Sequence, residues 1–291
     1  MVVKPTFFDN FKCIADKCTD TCCKGWEIDV DADTLDFYNQ IDGDDGEFVR
    51  ARLIHGDGVK LCLEGERCRF LREDNLCELI IRLGEECLCD ICREHPRFYS
   101  QSENICEVGV GLCCPEAARL WLEFPSEFII EDDEYTPSES ERRSLEAQIE
   151  VINFLAHGDG TLGKRLFSLL GGEYAENTYE QLRVLYASLE ALDEHFGESF
   201  CMELPRVSDE RFARLAAYFV YRYWFLLGKE LCIKFCAASL VMIAAMVKEL
   251  PEAAKDYSKE VEYDPDNLDK IYAHLSSVNT LGALCLRTFT K

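Results

Sequence analysis

Thirteen of the seventeen cysteines in this 291-residue chain fall within its first 114 residues. They come in tight groups: Cys13, Cys18 and Cys22-Cys23; then Cys62, Cys68 and Cys77; then Cys87, Cys89 and Cys92; then Cys106 and Cys113-Cys114. Such density leaves a chain two main ways to fold. Either the thiols pair as disulfides, as in small secreted domains, or they converge as thiolates on zinc or an iron–sulfur centre.

The residues favour metal. The N-terminus, MVVKPTFFDNFKC, has neither a long apolar core nor a small-residue cleavage site, so export by the usual route is not expected. The longest late apolar run, residues 235–247, is flanked by Lys234 and Lys248 and is shorter than the roughly 20 residues of a membrane span. A cytoplasmic protein without membrane association is therefore expected, in a compartment where thiols stay reduced. The total of 17 cysteines is also odd and cannot pair completely. A formal charge of −24 argues against nucleic-acid binding, which needs clustered Lys and Arg. An acidic surface aids solubility, and it also suits cationic ligands or lysine-bearing substrates.

Cysteine distribution divides the chain. Residues 1–123 read as a small metal-binding region with short strands, and residues 138–291 as a helical domain, giving a mainly α protein. Trp26-Glu27-Ile28-Asp29-Val30 alternates like a half-buried strand, and Asp31 suits the cap of a helix carrying Leu35, Phe37 and Tyr38. Residues 78–82 and 85–93 predict short helices separated by Gly84. Residues 105–112 predict a strand, and Pro115 opens a helix through Trp121. The acidic stretch 131–141 reads as a linker. Beyond it Ser138 with Glu141 forms a capping box, as do Thr178 and Gln181 ahead of Leu182, Leu185, Leu189 and Leu192. A long apolar-aromatic helix follows Ser208 and resumes after Gly228, and Asp264-Pro265 starts a last one.

Cys13-x4-Cys18-x3-Cys22-Cys23, followed by Gly25-Trp26, is the most specific signal. Four thiols in a polar, turn-rich segment can gather on a metal without a preformed core. Adjacent cysteines also occur as small buried hydrophobes, but this stretch is too polar for a core strand. Three further motifs follow. They are Cys68-Arg69-Phe70-Leu71 with Leu76-Cys77, Cys92-Arg93-Glu94-His95-Pro96-Arg97, and Cys113-Cys114-Pro115-Glu116-Ala117-Ala118-Arg119.

In this order the motifs resemble the flagellin lysine N-methylase family, over about the first 120 residues. The cysteine core also looks like small zinc- or iron-chelating domains. The resemblance implies transfer of methyl from S-adenosylmethionine to lysine side chains of flagellin, with an iron–sulfur cluster of the 4Fe-4S type in the enzyme; zinc is the alternative. It matches Cys13, Cys18, Cys22, Cys23, Cys68, Cys77, Cys92 and Cys114, and leaves Cys62, Cys87, Cys89, Cys106 and Cys113 as additional. Eight thiols exceed the four that one cubane needs, so there are two sites or some of the eight lie behind the ligands. Resemblance in the helical part is loose and rests on Tyr221-Arg222-Tyr223.

No motif places the methyl donor. Gly109-Val110-Gly111 lacks a third glycine and runs into Cys113-Cys114, and the radical-type Cys-x3-Cys-x2-Cys spacing is missing because Gly25 stands in its third position. Aromatic faces such as Tyr221, Tyr223 and Trp224 suit a sulfonium, although an aromatic stripe is more often core. His95 is a ligand, a base or a turn-ordering residue. Asp29, Asp31 and Asp33 do not make a calcium loop, since Thr34 and Gln40 stand where glycine and glutamate are required. The main rival to an enzyme is a non-catalytic metal-binding or redox-sensing cysteine cluster.

Overall fold

Apolar residues at helical spacing dominate the second half of the chain, and helices dominate the structure. A computed structural model describes residues 1–132 and 135–290, with twelve α-helices and a few short strands among them. The fold is mainly α, as the periodicity predicts. None of these helices is long and apolar enough to cross a membrane.

The chain forms two compact units. Residues 12–98 make one; residues 1–11 and those from Tyr99 onward make the other. This division differs from the one at residue 123 because the sheet joins distant segments. Four strands lie in the order Arg97–Gln101, Cys106–Val110, Val2–Pro5 and Phe128–Glu131. Val2–Pro5 runs parallel to Cys106–Val110, with Val2 opposite Cys106, and antiparallel to Phe128–Glu131. The first residues of the chain thus bind to strands more than a hundred residues later. Part of the stretch read as an acidic linker is the end of that last strand, and its Asp133 and Glu134 lie outside the described residues.

In the helical unit, Arg211–Ala245 is the central element. It packs against Pro115–Glu123, Glu139–His157, Leu162–Leu170 and Leu281–Thr288. Leu215, Phe219, Phe235 and Leu240 are fully buried along it, each stabilising by about 1.5–3 kcal/mol. Gly228 interrupts the helix at φ +70°, which a side-chain-bearing residue rarely adopts, and the break falls where the sequence predicts it. Ser138 and Glu141 form the expected capping box, and Asp264 accepts from the backbone N–H of Asp266 and Asn267.

Three local expectations are corrected. Residues 26–30 alternate in burial but make only a single bridge, between Asp29 and Lys60, and the strand Val59–Leu61 makes its ladder with Leu53–His55 instead. Residues 85–93 are a 3₁₀ turn, Glu85–Cys87, and a separate helix, Asp90–Glu94. Thr178 does not cap its helix; it is helical itself, and its hydroxyl bonds Thr280 at 2.7 Å. That helix stops at Ala187, short of Leu189 and Leu192.

Candidate metal centre

Each cysteine motif of residues 12–98 is a turn that aims a thiol at one small core. Gly25 takes φ +83° and its N–H bonds the Glu66 carbonyl, turning the chain after Cys22-Cys23. Cys68 N–H then bonds the Cys23 carbonyl at 2.9 Å, which sets these two cysteines side by side. Trp26 Nε1 donates to the Cys22 carbonyl at 2.7 Å, giving the Gly-Trp pair its purpose. In Cys68-Arg69-Phe70-Leu71, the Leu71 N–H returns to the Cys68 carbonyl and Leu71 bridges Cys77, while Phe70 is 1% exposed and anchors the turn. Cys77 leads into the helix Glu78–Leu83, and Cys89 into Asp90–Glu94.

Cys68, Cys87 and Cys89 are buried in this core with Ile28, Val30 and Tyr38, and Cys23, Cys77 and Cys92 pack against it. Of the eight matched cysteines the fold therefore brings together Cys23, Cys68, Cys77 and Cys92. Cys22 joins through a thiol hydrogen bond to Cys23, which draws the Cys23 thiol down to about 7. Cys92 likewise donates to Cys89, lowering it to about 7, and that bond together with burial pushes Cys92 up. Burial pushes Cys68 up to about 11 and raises Cys77. The Tyr38 hydroxyl closes the core by donating to the Cys87 carbonyl at 2.7 Å.

The other matched cysteines lie elsewhere. Cys13 is exposed and its sulfur accepts from the Ala15 N–H at 3.4 Å; the Cys18 thiol donates to the Asp20 carbonyl. Cys114 precedes the helix Pro115–Glu123 in the helical unit. His95 sits with its ring 5.7 Å from that of Trp26. No disulfide joins any of the seventeen cysteines. Among the described residues no three His, Cys, Asp or Glu side chains are arranged as the ligands of one ion. The donor set nevertheless suits a soft metal, since sulfur dominates it.

Over 132 residues the chain is 30% identical to the flagellar biosynthetic protein FliU of Salmonella muenchen, a match covering 43% of this chain and 78% of that protein. It is equally similar, 30% over 132 residues, to two proteins named Lysine-N-methylase from Salmonella choleraesuis and Salmonella typhimurium. The chain belongs to the lysine N-methylase family. Its match spans only 33% of each of those two Lysine-N-methylases. No protein-family model and no solved structure matches the chain.

In the helical unit, the Tyr-Arg-Tyr segment of this lysine N-methylase family member belongs to a buried polar cluster that the sequence did not reveal. Arg222 lies 3.7 Å from Glu262, and their side chains are 12% and 0% exposed. Glu262 accepts from Tyr218 at 2.9 Å and from Tyr223 at 2.7 Å. The rings of Tyr218, Tyr223 and Tyr263 surround the guanidinium at 5.6–5.8 Å. Cys113 donates to the Tyr263 hydroxyl at 3.1 Å. Glu262 ends a π-helical turn, Ser258–Glu262, a backbone irregularity frequent at functional sites. Tyr221 instead bonds the Val3 and Val108 carbonyls, and Trp224 bonds Ser144; both are structural. The wide spacing between Arg222 and Glu262 hid their pairing.

Proposed function

We propose that this chain carries out S-adenosylmethionine-dependent N-methylation of lysine side chains on flagellin in the cytoplasm, with a thiolate-bound iron–sulfur cluster of the 4Fe-4S type in residues 12–98. The activity rests on the 132-residue similarity to proteins named Lysine-N-methylase, and the flagellar substrate on that to FliU. Three matched motifs converging on one core support the metal. Cys23, Cys68, Cys77 and Cys92 would hold it, with Cys22 bonded to Cys23. When bound, such a cluster supplies a soft centre able to accept or release an electron.

The chain's own residues supply the rest. Trp26 and Phe70 fix the two turns that carry Cys22-Cys23 and Cys68, and Tyr38 keeps water from the core. Beside the helix Asp90–Glu94, a cavity of about 230 Å³ is lined by Asp31, Asp33, Thr34, Glu86, Asp90, the ring of Phe37 and Arg93, which pairs with Asp90 at 3.0 Å and leaves the other carboxylates open. Carboxylates around an aromatic face complement a lysine ammonium. The tyrosine cage of the helical unit already encloses a cation, so it does not fit the donor's sulfonium while Arg222 stays in place.

Anaerobically purified protein, assayed for iron, sulfide and zinc and then given flagellin with methyl-labelled S-adenosylmethionine, tests the reading. About four irons per chain and labelled methyl-lysine are expected. Stoichiometric zinc without methyl transfer would favour a second reading, a metal-binding or redox-sensing protein with no transferase activity. On its side stands the 33% coverage of the Lysine-N-methylases.

A further inference from the structure

Cys89 lies outside the family pattern, yet its surroundings match those of the patterned thiols. The sulfur of Cys68 accepts backbone N–H bonds from Phe70 and Leu71, and that of Cys77 from Leu79 and Ile80. Such N–H···S bonds from residues two and three positions on place partial positive charge beside a thiolate, and they tune sulfur-bound metal centres. Cys89 accepts the same bond from the Cys92 N–H, three positions on. It is 0% exposed, its sulfur is hydrogen-bonded to that of Cys92, and the Arg93 N–H on its carbonyl at 2.9 Å fixes the turn between them.

Cys87, two residues earlier and equally buried at 1% exposure, behaves differently. Its thiol donates to the Gly84 carbonyl at 2.8 Å and faces the Leu79 carbonyl at 3.6 Å. Carbonyl oxygens against the sulfur stabilise the neutral thiol and disfavour the thiolate that a metal requires.

We infer that Cys89 is a ligand of the metal centre in residues 12–98, forming a Cys-x2-Cys half-site with Cys92, and that Cys87 only packs the core. The inference rests on the metal-binding reading above and changes its ligand set. Cys89 is fully buried and Cys92 half-buried, and the short helix Asp90–Glu94 forms the turn that carries Cys92 back to Cys89.

Full-length wild type, Cys89→Ala and Cys87→Ala, purified anaerobically, are compared for metal content by mass spectrometry and for metal release to a chelator. Cys89→Ala is expected to lose metal at least about tenfold faster, and Cys87→Ala to stay within about twofold of wild type. Should Cys89→Ala fold poorly, Cys89→His returns a ligand atom to the position and is expected to regain metal with a shifted absorption band. Equal retention by the two alanine variants, or an unchanged spectrum in Cys89→His, overturns the assignment of Cys89 alone. Metal-free wild type overturns the centre and the assignment together.

Discussion

The two units use cysteine in opposite ways. In the helical unit, Cys232, Cys236 and Cys285 are buried among large apolar side chains, and their thiols face helical carbonyls at 3.7–4.0 Å. Burial raises all three above the ordinary thiol range. They act as small hydrophobes. In residues 12–98 the helices are short, and the core holds six cysteines beside a modest set of apolar residues. There the thiols other than that of Cys87 face one another and backbone N–H groups, and on this arrangement the proposed metal centre rests. What a buried cysteine does is decided by which backbone group its sulfur meets.

Removing the proposed metal should separate the units most strongly. Amides in residues 12–98 are expected to exchange at least about tenfold faster after chelation, while those of the helix Arg211–Ala245 keep their protection. Hydrogen–deuterium exchange of treated and untreated protein reads this directly. Equal loss in both units, or none in either, would break the contrast.

The helical unit should fail through its charges. Arg222→Met leaves the Glu262 carboxylate buried without its cation and is expected to cost about 3–5 kcal/mol in urea unfolding. Metal content should not change. A loss of metal in this variant would mean that the units are not independent in the way their cores suggest.

A smaller effect is expected at Glu107, a fully buried carboxyl on the strand Cys106–Val110. Its neighbour Gln148 gives Nε2 to the Val220 and Tyr221 carbonyls, which leaves Gln148 Oε1 without a donor among the described residues. Burial holds the Glu107 carboxyl well above the ordinary 4.5. The folded state then binds a proton that the unfolded chain releases above about 4.5, so stability falls as pH rises from there through the raised value. Glu107→Gln should remove this slope and stabilise the protein at pH 8 by about 1–3 kcal/mol, read by urea melts at pH 5 and pH 8. A slope that survives the substitution assigns it to other groups.

Smallest of all, Cys236→Ala should cost about 1 kcal/mol with metal content unchanged. Any loss of metal there would blur the distinction between packing and ligating cysteines.

The sequence shows these contrasts unevenly. Gly228, Ser138 with Glu141, and Asp264 are local signals, since each acts through its own backbone within a few residues, and each falls where the sequence places it. The limits of the units are not local. Val2–Pro5 looks like any short apolar stretch, and only its partners at Cys106–Val110 and Phe128–Glu131 draw it into the helical unit. At the candidate site, Cys23, Cys68, Cys77 and Cys92 were legible because each sits in a turn with its own signature residues. Cys89 was not, for the bonds that set it apart from Cys87 come from backbone geometry that spacing does not encode. The Arg222–Glu262 pair was hidden by the long stretch of chain between its partners.

The parallel pairing of Val2–Pro5 with Cys106–Val110 also sets an order of events during synthesis. The first strand leaves the ribosome roughly a hundred residues before its partner exists, about 5–20 seconds at ordinary elongation rates. Everything from Lys12 to Phe98 is made in that interval. The cysteine-rich unit can therefore finish folding while the opening segment still waits for the strand that it pairs with.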